Sequence, residues 1–185
     1  MPSLKKEFLD RVIPSLGKQQ QDFNTFIETG TFNGVTTSMI STNFSNMEVY
    51  TIELSEHYHS MAKHNFSGNP KVHPIFGDSS VEMEKLLQKL TPNDSAIFWL
   101  DGHWSGGDTA KGIKDCPLIE ECTFIDTLYK AEYGLVLIDD YRMFGIKANE
   151  DWSEISNESI LNCFKNHSTL FFIDGDTMVI QIKKK

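Results

Sequence analysis

The sequence is short of cysteine, of positive charge and of long apolar runs. Its three cysteines, Cys116, Cys122 and Cys163, form no C-x-x-C pair and leave an odd number. That argues against a disulfide framework and suits a reducing compartment. Lys and Arg number 17 against 26 Asp and Glu, a formal charge of -9. A broad electrostatic grip on nucleic acid needs clustered cations, so no nucleic-acid partner is expected. The basic cluster at 183–185 reads as a solubilising tail. No apolar run approaches the ~20 residues needed to cross a bilayer. The opening stretch "MPSLKKEFLDRVIPSL" has a basic pair with no long apolar core behind it, so it does not read as a secretory signal. A cytoplasmic location is the expectation. Repeats and low-complexity tracts are also missing.

What remains is a chain of 185 residues with 13 Phe, the length of a single domain (1–185) able to bury a core without staples. Strand-like apolar runs occur at 25–29, 49–54, 71–77, 96–102 and 134–140, with helical patterns between them at 34–44, 55–66, 80–90 and 117–132. Such alternation predicts an α/β fold with a mostly parallel sheet covered on both faces. The stretch "LFFIDGDTMVIQI" differs: two β-rich runs meet through Asp-Gly, a hairpin signal, so the last strand runs antiparallel to its predecessor.

In open α/β sheets, ligands bind at the carboxyl ends of the strands where strand order reverses. The segment "ETGTFNG" lies at such an end. Gly30 and Gly34 allow positive φ or close approach of a ligand, and Thr31 and Thr36 offer hydroxyls near the next helix N-terminus. An acidic residue about 20 positions beyond such a loop, here Glu53, can accept two ribose hydroxyl hydrogen bonds. Its bland alternative is a helix cap near Ser55. The third run empties into Asp78 and Ser79, which could equally cap the helix that follows.

The pattern Glu28-x-Gly30-x-x-x-Gly34 departs from the dinucleotide fingerprint G-x-G-x-x-G. It resembles the first motif of class I S-adenosylmethionine-dependent methyltransferases, E/D-x-G-x-x-x-G. That resemblance implies a Rossmann-like, seven-stranded sheet whose last strand inserts antiparallel beside the fifth. It also implies cofactor contacts from Glu28, Thr29, Gly30, Thr31, Gly34 and Thr36, with Glu28 on the cationic methionine end, Glu53 on the ribose and Asp78 and Ser79 at the adenine.

Two further runs empty into carboxylates at the same rim: Asp101 in "FWLDGHW" and Asp139 and Asp140 in "LVLIDDY". Crowded carboxylates call for a cation, and hard oxygen ligands suit Mg²⁺ or Mn²⁺. The set is similar to that of metal-dependent O-methyltransferases of the catechol and macrocin types, which implies metal ligation by Asp101, Asp139 and Asp140. The chemistry would then rest on Asp101 and His103, the imidazole acting as general base with Lys111 in reserve. The remaining histidines, His57, His59, His64, His73 and His167, read as surface residues. The Gly-rich stretch beginning at Trp104 reads as a lid, and the stretch containing Tyr141, Arg142 and Trp152 as a second wall, with plain packing the alternative for both tryptophans. The expected acceptor is a small molecule or glycan, a sugar by preference. A non-catalytic cofactor-binding module and a metal-dependent hydrolase are the rival readings; the hydrolase would have no use for Glu28 and Glu53.

Overall fold

The computed structural model describes residues 3–103, 112, 114, 116–148 and 150–185. Trp104 and Lys111 lie outside the described residues.

The chain begins with α1 (Lys6–Ser15), then builds β1 (Thr25–Thr29), α2 (Val35–Asn43), β2 (Glu48–Glu53), α3 (Glu56–Asn65), β3 (Val72–Phe76), α4 (Ser79–Lys89) and β4 (Ala96–Leu100). It continues through α5 (Leu118–Leu128), β5 (Tyr133–Ile138), the short α6 (Asn157–Leu161), β6 (His167–Asp174) and β7 (Thr177–Lys184). One seven-stranded sheet results, in the order β3-β2-β1-β4-β5-β7-β6. The first five strands are parallel, and β7 pairs antiparallel with both β5 and β6. This is the expected Rossmann-like arrangement, with strand order reversing between β1 and β4.

Strand alternation divides the core into two layers. Ile27, Phe98, Leu100, Val136 and Ile138 face α4 and α5. Phe26, Ile97, Trp99, Leu135 and Leu137 face the layer that holds Leu9, Val12 and Ile13 of α1 and Ile40 of α2. Helix α1 was not among the expected elements. Its Leu9, Val12 and Ile13 recur at helical spacing and are buried, and Pro14 sits in its last turn.

Pro74 is tolerated because β3 is an edge strand. In the β6–β7 turn, Gly175 holds φ at 63°, the left-handed conformation that the first central position of such a two-residue turn demands. Asp176 then ties the turn to the chain leaving β5: its carbonyl accepts from Tyr141 N at 2.9 Å and its Oδ1 from Arg142 N at 2.8 Å. Among the described residues, no helix is long and apolar enough to cross a membrane.

Of the histidines expected at the surface, His57 and His64 are exposed, and His59 and His73 are half-buried. His167 contradicts the expectation. It is buried, with Nδ1 2.8 Å from Asp126 Oδ1. A carboxylate partner lets an imidazole enter the core, because it satisfies the ring nitrogen that water would otherwise hold.

Candidate active site

A cavity of about 220 Å³ opens at the carboxyl ends of β1 to β4. Its floor is the loop after β1. Gly30 has φ at 82°, and a Cβ there would lie 2.3 Å from the Asp101 carbonyl oxygen. Glycine is therefore required twice over, by conformation and by the closeness of the β4 end. Gly34 is the N-cap of α2, and Gly34 N donates to Thr31 O at 2.8 Å, closing the turn.

Glu28 is buried at 2% exposure. Its Oε2 accepts from the hydroxyls of Thr37 and Thr51, and Thr31 Oγ1 lies 2.5 Å from that of Thr51, extending the chain of hydroxyls toward the cavity. Burial is the main reason that its carboxyl is pushed up to about 8; the threonine hydrogen bonds oppose this and the Asp101 charge adds to it. Glu28 therefore holds its proton at neutral pH. Thr29 behaves differently: its Oγ1 accepts from Asp101 N at 3.2 Å, joining β1 to β4 instead of lining the cavity.

Glu53, at the end of β2, places one oxygen on each of two backbone donors: Phe32 N at 2.8 Å and Ser55 N at 2.8 Å. The bond from Ser55 is a form of the helix-cap alternative. Each oxygen keeps a further lone pair, and Glu53 lines the cavity. Asp78 is the N-cap of α4, with Oδ1 accepting from Ser80 N at 2.9 Å. Ser79 follows inside the helix and is buried; both line the cavity, as does Thr36. Tyr58 stands against Phe32 on the flank, ring centroids 4.6 Å apart.

At the β4 and β5 ends the carboxylates divide by face. Asp101, His103 and Asp140 bring ligand atoms within 4.8 Å of one another. His103 is the centre of this group: Nε2 is 2.7 Å from Asp140 Oδ2 and 3.5 Å from Asp101 Oδ1. Neither carboxylate lies along the ring's N–H axis, so Nε2 has no directional hydrogen bond, and charge holds the group together. On the other side, Nδ1 hydrogen-bonds Glu150 Oε2 at 3.0 Å. Burial pushes the imidazole down, yet Asp101 and Asp140 outweigh it and hold the ring up at about 10. Burial likewise raises Asp101. For Asp140 burial is overcome by His103 and Arg142, and its carboxyl falls below the usual range.

Asp139 belongs elsewhere. Adjacent residues leaving a strand point to opposite faces, and Asp139 groups with Asp140 and Asp176. There Arg142 already supplies a cation, 2.5 Å from Asp140 Oδ1 and paired with Asp176. Asp140 serves both groups, and its backbone adopts the left-handed conformation at φ 55°, a strained state for a residue with a Cβ.

Trp152 follows the packing alternative. It is 1% exposed, meets the His103 ring edge-on at 4.9 Å, and donates from Nε1 to Glu150 Oε2 at 3.0 Å. Arg142 is exposed, and the half-buried Tyr141 accepts from Asn157 Nδ2 at 3.2 Å. Two site carboxylates were not anticipated. Glu150 sits in a loop with no periodicity to mark it. Glu121 of α5 is fully buried beside Thr29 and Ser79, and burial chiefly pushes it up to about 7; a charged residue on the apolar stripe of α5 was its one signal.

No family model matches the sequence, and no curated protein matches it. Solved structures do. An O-methyltransferase from Bacillus cereus, in complex with S-adenosylhomocysteine, shares 13% identity at a TM-score of 0.65, over 98% of this chain and 83% of that one. A methyltransferase from Geobacter sulfurreducens shares 12% at 0.59, over 100% and 82%. The fibrillarin pre-rRNA processing protein of Methanococcus jannaschii shares 13% at 0.55, over 88% and 67%. At these identities the likeness is one of fold. That fold serves methyltransferases, and the rRNA-processing neighbour means that it does not by itself separate small acceptors from RNA.

Proposed function

We propose that this chain transfers a methyl group from S-adenosylmethionine to an oxygen of a small hydroxylated acceptor, a sugar or glycan by preference, with help from a divalent cation. The observation that carries the reading is the convergence on one cavity of Glu28, the Gly30 turn and Glu53 with Asp101 and His103, the latter paired with Asp140 behind it. The net charge of -9 and the concave cavity favour a small acceptor over RNA. The macrocin-type resemblance of "DGH" and "DD" favours a sugar.

The donor set fits a cation. Asp101 Oδ1 and His103 Nε2 are buried and have no hydrogen-bond partner among the described residues, and they converge with an Asp140 carboxylate oxygen. Asp101 and Asp140 supply hard carboxylate oxygens, which suit Mg²⁺ or Mn²⁺, and leave His103 Nε2 for proton transfer. When bound, the cofactor supplies an electrophilic methyl group and the cation a Lewis acid for the acceptor hydroxyl. Glu28 gives up its proton to receive the cationic methionine end, and Glu53 takes the ribose through its remaining lone pairs. Asp101 and Asp140 face the cation. With a cation neutralising Asp101 and Asp140, the charge that holds the His103 proton would be removed. The ring would release that proton to solvent and could then accept the acceptor's proton at Nε2, while Glu150 keeps the ring in place through Nδ1.

Calorimetry with S-adenosylhomocysteine tests the cofactor half, and binding is the expected result; a hydrolase would show none. A methyl-transfer assay on sugar and catechol acceptors tests the rest. Excess EDTA should suppress turnover and Mn²⁺ or Mg²⁺ restore it. Full activity in EDTA would remove the metal role, and product binding without transfer to any acceptor would favour the non-catalytic module.

A further inference from the structure

Another cavity, of about 290 Å³, lies between α1, the ends of β4 and β5 and the β6–β7 turn. Leu4, Phe8 and Trp99 give it apolar and aromatic walls, and Asp139 lines it at the β5 end. Ser3 borders both this cavity and the first. Trp99 is also the cross-strand partner of Glu28, which lines the first cavity, so both side chains leave the sheet on the same face.

Two polar atoms in its lining have nothing to bind. Trp99 Nε1 and Asp139 Oδ2 are buried, in residues 2% and 3% exposed, and neither has a hydrogen-bond partner among the described residues. An indole N–H only donates and a carboxylate oxygen accepts; a buried group of either kind is usually satisfied. The lining holds two cations, Lys5 and Arg11, against Glu7 and three aspartates; Arg11 is occupied, with Nε and Nη2 at 3.0 and 2.8 Å from Asp174 Oδ2. Asp139, Asp174 and Asp176 leave the lining acidic, which disfavours an anionic guest.

We infer that this cavity is the acceptor subsite and takes a neutral hydroxylated ring. The inference rests on the methyl-transfer reading above and names its substrate class. A hydroxyl both accepts and donates, so one hydroxyl answers the Trp99 indole and one answers Asp139, while Phe8 and Trp99 cover the ring's apolar face. Sugars and phenols share this chemistry; phosphorylated sugars do not fit the acidic lining.

The test uses the full ¹⁵N-labelled chain saturated with S-adenosylhomocysteine, in EDTA so that no metal contributes. The indole N–H signal of Trp99 is identified by its absence in Trp99→Phe. Methyl β-D-glucopyranoside, catechol and glucose 6-phosphate are titrated separately. A saturable shift with the glucoside assigns a sugar-type acceptor and one with catechol a phenolic one. The phosphorylated probe should bind at least tenfold more weakly than the better neutral one. Asp139→Asn should weaken that neutral probe by tenfold or more; should this variant not fold, Phe8→Ala should weaken it severalfold. No shift with either neutral probe, equal binding of the phosphate, or undiminished affinity in the wall variant that folds would overturn the subsite. Calorimetry of S-adenosylhomocysteine on the same samples keeps the two readings apart. Its failure would remove the methyl-transfer proposal, and the probe titration repeated without it would still report on the cavity.

Discussion

The carboxylates at the ends of β1 and β2 and those at the ends of β4 and β5 share one rim but differ in what binds them. Glu28 accepts from two threonine hydroxyls and Glu53 from two backbone donors. Asp101 Oδ1 and Asp139 Oδ2 accept from nothing among the described residues, and Asp140 is held by the charges of His103 and Arg142. Hydrogen bonds fix the direction of a side chain, whereas charge alone fixes mainly its distance. The β1–β2 half of the rim is thus built to a set geometry in the ligand-free protein, while the β4–β5 half keeps bonding capacity unused among the described residues.

The comparison breaks most completely at Gly30, where the halves touch. A Cβ in Gly30→Ala would meet the Asp101 backbone, which cannot swing aside as a side chain would. Binding of S-adenosylhomocysteine should become undetectable by calorimetry, with a lower melting temperature; retention of wild-type affinity would mean that the β4 end can retreat. Next in size is His103→Ala, which should lower methyl transfer by ~10²–10⁴-fold with product affinity unchanged. A parallel loss of affinity would show that the β4–β5 half also shapes the other. Glu53→Ala should weaken S-adenosylhomocysteine by about 1.5–3 kcal/mol through loss of a charged acceptor, and equal binding would assign Glu53 to the helix cap alone.

The last test is a pH dependence. Glu28 is raised from 4.5 to about 8 in the folded protein, so between those values the folded state binds the extra proton. The stability this contributes is fully present below the unfolded pKa and is lost as pH rises through about 8. Glu28→Gln should flatten that part of the denaturation profile of the ligand-free protein. In the wild type at neutral pH, cofactor binding should release a proton, visible as a buffer-dependent binding enthalpy.

The sheet was readable because each parallel strand is a continuous apolar run and the hairpin carries its own turn chemistry. The strand expected at 25–29 is β1 to the residue, the other parallel strands' boundaries shift by at most two positions, and the helix expected at 117–132 ends four residues early, at Leu128. Helix α1 was hidden because its leading basic pair, Lys5 and Lys6, masks the burial spacing of Leu9, Val12 and Ile13. Glu28, Gly30 and Glu53 were visible as strand-end chemistry. Asp139 stands apart from Asp101 and His103, which its sequence position just past β5 did not show. Glu150 and Trp99 were not legible. Glu150 reaches His103 across 47 positions, and Trp99 is indistinguishable from any core aromatic until its nitrogen is seen to lack a partner.

The insertion of β7 between β5 and β6 also bears on how the protein is made. During synthesis β5 emerges with its outer edge unpaired, and Leu135, Val136 and Leu137 stay uncovered until residues some 40 positions later have followed. The β6–β7 hairpin pairs locally, so the β5 edge waits on a long-range pairing, though one shorter in sequence than that of Thr25 with Ala96. In that interval the nascent chain carries an open apolar edge, and its vulnerability to aggregation on the ribosome is set by how quickly one hairpin arrives.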